Sequence, residues 1–312
     1  MTGNESCHSP NIIRENVEEK RQDIMEINKR IYEILAFLGW EQSACKIDET
    51  SYGATNLSYF CEYKGEKYII RIGAENSDLL VINRHAEKAA MEAVRGADYC
   101  VPLIYFNAEN GDMVTQYVDA DEMTGKEYGQ EENIIRRAAI MKDLHSRKTD
   151  YFFNPYDDVE KKLAYIKQYN IPMHEKFDEA YGIYKTARDA NPIFEKQYLG
   201  LCHNDVTAGN CLITKDKKRI YLIDYEFSGM GNIFNDLLCN VAGCPEEKQR
   251  LFLSEYFGEY KDYMAKKLKD FHIIVMMWNV TWAYLKSIAP GGANVDFMDY
   301  GNQWTDIILN LK

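Results

Sequence analysis

Basic residues are scarce: 37 Lys and Arg stand against 49 Asp and Glu, a formal net charge of −12. That balance argues against nucleic acid or an anionic membrane surface as the main partner. It suits a cationic ligand, although acidity for solubility alone is common. No apolar run follows the first residues, so no signal peptide is expected. The most apolar late stretch, Ile273 to Leu285, is interrupted by Asn279 and Thr281 and reads as a buried helix too short for membrane insertion. The eight cysteines contain no C-x-x-C pair, which excludes the usual zinc and disulfide patterns and points to reduced thiols in the cytoplasm. Internal repeats and low-complexity segments are lacking too. The oligomeric state has no signature in the sequence.

What is present is a change of character along the chain. The polar residues 1–15 read as disordered. Apolar residues then recur at helical spacing from Asn16 to Leu38, and Gly39 ends the run. Strand patterns follow at Cys45–Glu49, Asn56–Tyr63 and Lys67–Ile72, with a helix over Asn83–Arg95 and strands at Leu103–Phe106 and Met113–Tyr117. Beyond Val118, helical patterns cover Glu131–His145, Val159–Tyr169 and His174–Ala190. A strand-rich stretch from Leu201 to Ile223 interrupts them. The expected fold is α+β and bilobal: a β-rich lobe over residues 1–118 and a larger, mainly helical lobe over 119–312.

The chemistry concentrates between His203 and Glu226. Cys211–Thr214 and Ile220–Ile223 are apolar runs flanking the polar turn Lys215–Lys218, which is a hairpin pattern. Folding it brings Asn210, just before the first strand, towards Asp224, just after the second. An amide oxygen and a carboxylate are hard ligands suited to Mg²⁺. Asp205, five residues before Asn210, can lie beside them with a carboxylate free for a substrate hydroxyl. This H-x-D-x-x-x-x-N and downstream Asp arrangement is that of phosphoryl-transfer kinases, with ATP as donor. His203 reads as an organiser of the loop backbone. Upstream, Tyr52, Gly53, Ala54, Thr55 and Asn56 sit between two strands, where a loop can cover phosphates, although the segment lacks G-x-G-x-x-G. Arg71 ends the next strand as a phosphate-holding cation, and Glu87 on the following helix is its acidic partner.

These segments together resemble the choline/ethanolamine kinase family, within the wider group that includes aminoglycoside phosphotransferases. The likeness runs from about Tyr52 to Ile307 and is carried by Gly53–Asn56, Tyr68–Arg71, Arg84–Glu87, His203–Asn210, Leu222–Glu226, Trp278–Lys286 and Phe297–Tyr300. It implies a protein-kinase-like fold and transfer of the ATP γ-phosphoryl group to a small amino alcohol. Arg71 rather than lysine at the nucleotide, and a hinge at Gln116, Tyr117 and Val118 holding adenine through backbone groups, follow from the same likeness. So do substrate contacts from Glu226, Trp278, Trp282 and Tyr300. Trp278 and Trp282, four apart on one helix face, read either as a cage for a quaternary ammonium or as helix core. The sequence departs from the family between Asn240 and Cys244, after the matching Asp236, where a carboxylate is expected and none occurs. Thiamine or aminoglycoside kinases are rivals with the same ATP machinery, and a catalytically inactive binding module is the rival from another class.

Overall fold

The computed structural model describes residues 25–52, 56–74, 77–289 and 295–311. The disorder expected over residues 1–15, the helix expected before residue 25 and loop residues 53–55 lie outside them. Helix α1 (residues 25–38) ends at Gly39, whose φ of +68° suits glycine. Five antiparallel strands follow: β1 (Cys45–Tyr52), β2 (Leu57–Tyr63), β3 (Glu66–Ile72), β4 (Leu103–Phe106) and β5 (Met113–Gln116). Their spatial order is β1-β2-β3-β5-β4.

Side chains alternate across a strand, so this sheet has two faces with different partners. Ile70, Ile72, Cys61 and Val114 pack under Ile31, Ile34 and Leu35 of α1 as one buried cluster. The intervening Ile69, Arg71, Phe60 and Thr115 face a cavity on the other side. A one-residue slip of β3 would exchange Arg71 for an isoleucine there. Helix α2 (Arg84–Ala93) starts where the Asn83 side chain accepts from the His85 and Ala86 N–H groups, and it delivers Glu87 buried in its first turn.

The remainder is mainly helical. It comprises β6 (Ala120–Glu122), α3 (Gly125–Tyr128), α4 (Glu131–Ser146), α5 (Pro155–Gln168), α6 (Phe177–Asp189) and β7 (Leu199–Cys202). Then come β8 (Cys211–Thr214), β9 (Ile220–Leu222), β10 (Gly229–Asn232), α7 (Phe234–Val241), α8 (Glu246–Phe257), α9 (Asp262–Lys286) and α10 (Phe297–Asn310). The expected α+β arrangement is present. Helix α5 begins at Pro155 rather than Val159, because the Asn154 side chain caps it and proline occupies its first turn. Helix α9, 25 residues long, packs against α5, α6, α7 and α10, and Phe271, Ile274 and Met277 are fully buried along it. Each such side chain contributes roughly 1.5–3 kcal/mol. Among the described residues, no helix is long and apolar enough to cross a membrane.

Two small sheets set the functional loop. β8 pairs with β9 as the expected hairpin, and β6 adds along the other edge of β8. β7 pairs with β10. The chain from His203 to Asn210 runs between β7 and β8, so both of its ends are anchored in sheet. The Leu222 N–H donates to the Tyr99 carbonyl at 2.9 Å, which ties the hairpin to the segment leading into β4.

Candidate active site

The hairpin does what its sequence pattern implies. Cys211 pairs with Leu222, and the Ile223 N–H donates to the Asn210 carbonyl at 3.1 Å, so Asn210 and Asp224 share one end of it. Asp224 has φ +62°, a conformation that Asp and Asn adopt more readily than most side chains. Asn210 Nδ2 donates to the Asp205 carboxylate at 2.7 Å, which commits the nitrogen and leaves the amide oxygen free. Arg71 Nη1 lies 3.5 Å from Asp224 Oδ1, and that buried oxygen has no hydrogen-bond partner.

His203 organises the loop from beneath. It is fully buried, and its Nε2 lies 2.9 Å from the Ile223 carbonyl, a contact only a protonated nitrogen makes. Nδ1 then accepts from the Asp205 N–H at 3.3 Å. Burial holds the imidazole below its ordinary pKa and so neutral. Asp236 is the second organiser: its carboxylate accepts from the His203 N–H at 2.8 Å and the Asn204 N–H at 2.6 Å, and it meets His145 Nε2 at 3.0 Å. Sequence reasoning noted Asp236 but not this role, because its partners lie more than thirty residues away in the chain.

Above the hairpin, Arg71 is held by Glu87 and by the Gly111 carbonyl at 3.0 Å. Gly111 has φ +79°, and a Cβ there would lie 2.5 Å from Arg84 Nε, so the turn admits only glycine. Arg84 bonds Glu87 at 2.8 Å, Glu226 at 3.2 Å and Asn56 Oδ1 at 2.9 Å, while Asn56 Nδ2 reaches Glu226 at 3.0 Å. This buried chain of alternating charge clamps β2, β3 and α2 to the segment after the hairpin. Glu226 lines the cavity as a substrate ligand must, but its Oε2 belongs to the clamp.

A cavity of about 920 Å³ opens between the five-stranded sheet and the β8–β9 hairpin, lined by Arg71, Asp205, Asn210, Asp224, Glu226 and Trp282. Gln116, Tyr117 and Val118 line its far end. There the Gln116 and Tyr117 N–H groups already donate to Pro102 and Lys67 carbonyls, whereas the Val118 N–H has no acceptor among the described residues. The side chain of Tyr52 and residues Gly53, Ala54 and Thr55 lie outside the described structure. Carboxylates crowd this space. Burial and the charge of Glu226 push Asp205 up to about 6, with the Asn210 donor opposing. Burial likewise raises Asp224, with Arg71 and Arg84 opposing and the charges of Glu87 and Asp205 adding to it, and it raises Glu226, where Asp224 and Glu87 add and the same arginines oppose.

A second cavity of about 160 Å³ adjoins Asp205 and Thr207, between α7 and α9. Here the aromatic set divides. Trp278 lines the smaller cavity and Trp282 the larger, so the two do not form one cage. Lys162 Nζ sits 3.3 Å from the centre of the Trp278 ring, and Phe227 packs against it at 4.7 Å. Tyr300 is a correction. It lines neither cavity, is 42% exposed and stacks on Trp304 at 5.4 Å. The buried face of α10 carries Gly301, Thr305 and Ile308, which turns Tyr300 outward.

The sequence model for choline/ethanolamine kinase matches residues 47–306. Mouse ethanolamine kinase 2 is 24% identical over 225 residues, covering 63% of this chain and 54% of the mouse protein. Probable choline kinase 1 of Arabidopsis thaliana is 29% identical over 135 residues, 35% of this chain and 39% of that protein. The chain thus matches about half the length, or less, of these curated relatives. The crystal structure of choline kinase LicA from Streptococcus pneumoniae superposes with a TM-score of 0.73 at 20% identity, over 92% of this chain and all of that one. That likeness shows the fold, a protein-kinase-like arrangement.

Proposed function

Because the chain belongs to the choline/ethanolamine kinase family, we propose that it transfers the γ-phosphoryl group of ATP to the hydroxyl of a small amino alcohol. The observation that carries this reading is the convergence of Asp205, Asn210, Asp224 and Arg71 on one cavity. Residues 1–118 would form the nucleotide lobe and 119–312 the catalytic lobe. A cytoplasmic setting belongs to the same reading.

Asp205 would accept the hydroxyl proton. A carboxylate whose pKa is about 6 is ionised at neutral pH yet basic enough to share a proton in the transition state. Asn210 orients it, and the neutral His203 fixes the backbone beneath it. Arg71, locked by Glu87, would steady the phosphates, and the Val118 N–H is positioned to meet adenine with Gln116 and Tyr117 alongside. Tyr52, Gly53, Ala54, Thr55 and Asn56 would contribute contacts to the phosphates. Mg²⁺ fits the donors present: the unpartnered Asp224 oxygen and the free Asn210 amide oxygen are both hard ligands. When bound, the ion would neutralise charge on the phosphates. The protein's own contribution is positioning and charge stabilisation, with no covalent intermediate.

Asp205→Asn is the direct test. Turnover should fall by about 10²–10⁴-fold while ATP affinity, measured by calorimetry, stays close to wild type. Undiminished turnover would remove Asp205 from the mechanism.

A further inference from the structure

The smaller cavity beside Asp205 carries a fixed polarity. Asn204 Nδ2 donates to the Phe227 carbonyl at 2.7 Å, so the other end of that amide, Oδ1, must accept. It does so from Asn235 Nδ2 at 3.1 Å. The relay leaves Asn235 Oδ1 as its terminal acceptor, and no protein donor reaches that atom among the described residues. Asn235 is 4% exposed and lines the cavity with Asp205.

A quaternary ammonium needs aromatic faces and carboxylates, and the rings this cavity offers are those of Phe153, His272 and Trp278. Asp205 is the one carboxylate among its described lining residues. Trp278 is its one indole, and Lys162 lies over a face of that ring at 3.3 Å, fully buried. One face of the indole is therefore already occupied, and a ligand cation has only the other. Asn279, which follows Trp278 on α9, adds a further amide to the lining rather than an aromatic ring.

We infer that this cavity selects an alcohol whose nitrogen keeps an N–H donor over one with a quaternary ammonium, and that Asn235 Oδ1 is the group that reads the donor. The inference rests on the amino-alcohol function proposed above and names the specificity of that site. An ammonium N–H can bond Asn235 Oδ1. A quaternary nitrogen displaces water from that oxygen and offers it nothing, and leaving a buried acceptor unpaired is costly.

The test is steady-state kinetics with Mg²⁺ and ATP on ethanolamine, its N-methyl and N,N-dimethyl derivatives, and choline. The first three keep at least one N–H when protonated, and choline keeps none. The kcat/KM should fall about tenfold or more at the single step from the dimethyl compound to choline. Asn235→Leu should bring that ratio close to one, whereas Asn235→Asp, which retains an acceptor oxygen, should preserve it. Should Asn235→Leu fail to fold, the wild-type series and Asn235→Asp still decide. Equal or better use of choline by the wild type overturns the inference and leaves the kinase reading standing, as does an unchanged ratio in Asn235→Leu. No turnover of any of the four, with ATP still bound, overturns the amino-alcohol reading and this inference with it.

Discussion

Asp205 has a cost that its chemistry explains. Burial and the nearby charge of Glu226 lift its carboxyl to about 6, above the ordinary value of 3.8. The native state therefore binds its proton more tightly than the unfolded chain does. That difference destabilises the fold fully above about pH 6 and fades as pH falls through the window towards the unfolded value. Asp205→Asn keeps an oxygen to accept from Asn210 and removes the charge. Its Tm should exceed that of wild type at pH 8, and the gain should shrink at pH 5, as read by thermal denaturation. A lower Tm at pH 8 would show that the carboxylate stabilises the loop. His203 sits beside this group with the opposite character, since burial keeps it neutral and its two nitrogens serve only the backbone.

Elements with a local signal were legible in the sequence. The hairpin of β8 and β9 declares itself by two apolar runs and a polar turn, and its pairing brings Asn210 and Asp224 together. Strands β6 and β10 carry no such signal. Ala120–Glu122 and Gly229–Asn232 lack alternating apolar residues, and their partners, β8 and β7, are remote in sequence. The pairing of α9 with α10 is equally a matter of tertiary fit. A Cβ on Gly301 would lie 2.6 Å from the Tyr284 ring. That ring is pinned, because its hydroxyl accepts from the His174 N–H at 3.0 Å and donates to Asn302 at 2.9 Å. Gly301→Ala should therefore destabilise the protein by about 1–3 kcal/mol in urea titration, despite alanine's better helix propensity. A stabilised variant would mean that α10 shifts freely on α9.

Across the molecule as a whole, Asn56, Arg84 and Glu226 join the five-stranded sheet and α2 to the segment after the β8–β9 hairpin, so these parts are one connected structure. The lining of the larger cavity was readable because Arg71, Asp205, Asn210 and Asp224 occur in short, spaced motifs. The polar lining of the smaller cavity was not, because Asn204, Asn235 and Asn279 come from a loop, the start of α7 and the middle of α9, and meet only in the fold. Tyr300 shows the converse: a residue assigned by resemblance that the fold turns to solvent. Everything proposed for the cleft depends on phosphoryl transfer to an alcohol, which ³¹P NMR of the protein with ATP, Mg²⁺ and ethanolamine observes without a coupled assay. ATP should be converted to ADP and a phosphomonoester in equal amounts. Unchanged ATP, or conversion to ADP and inorganic phosphate alone, would contradict the proposed transfer.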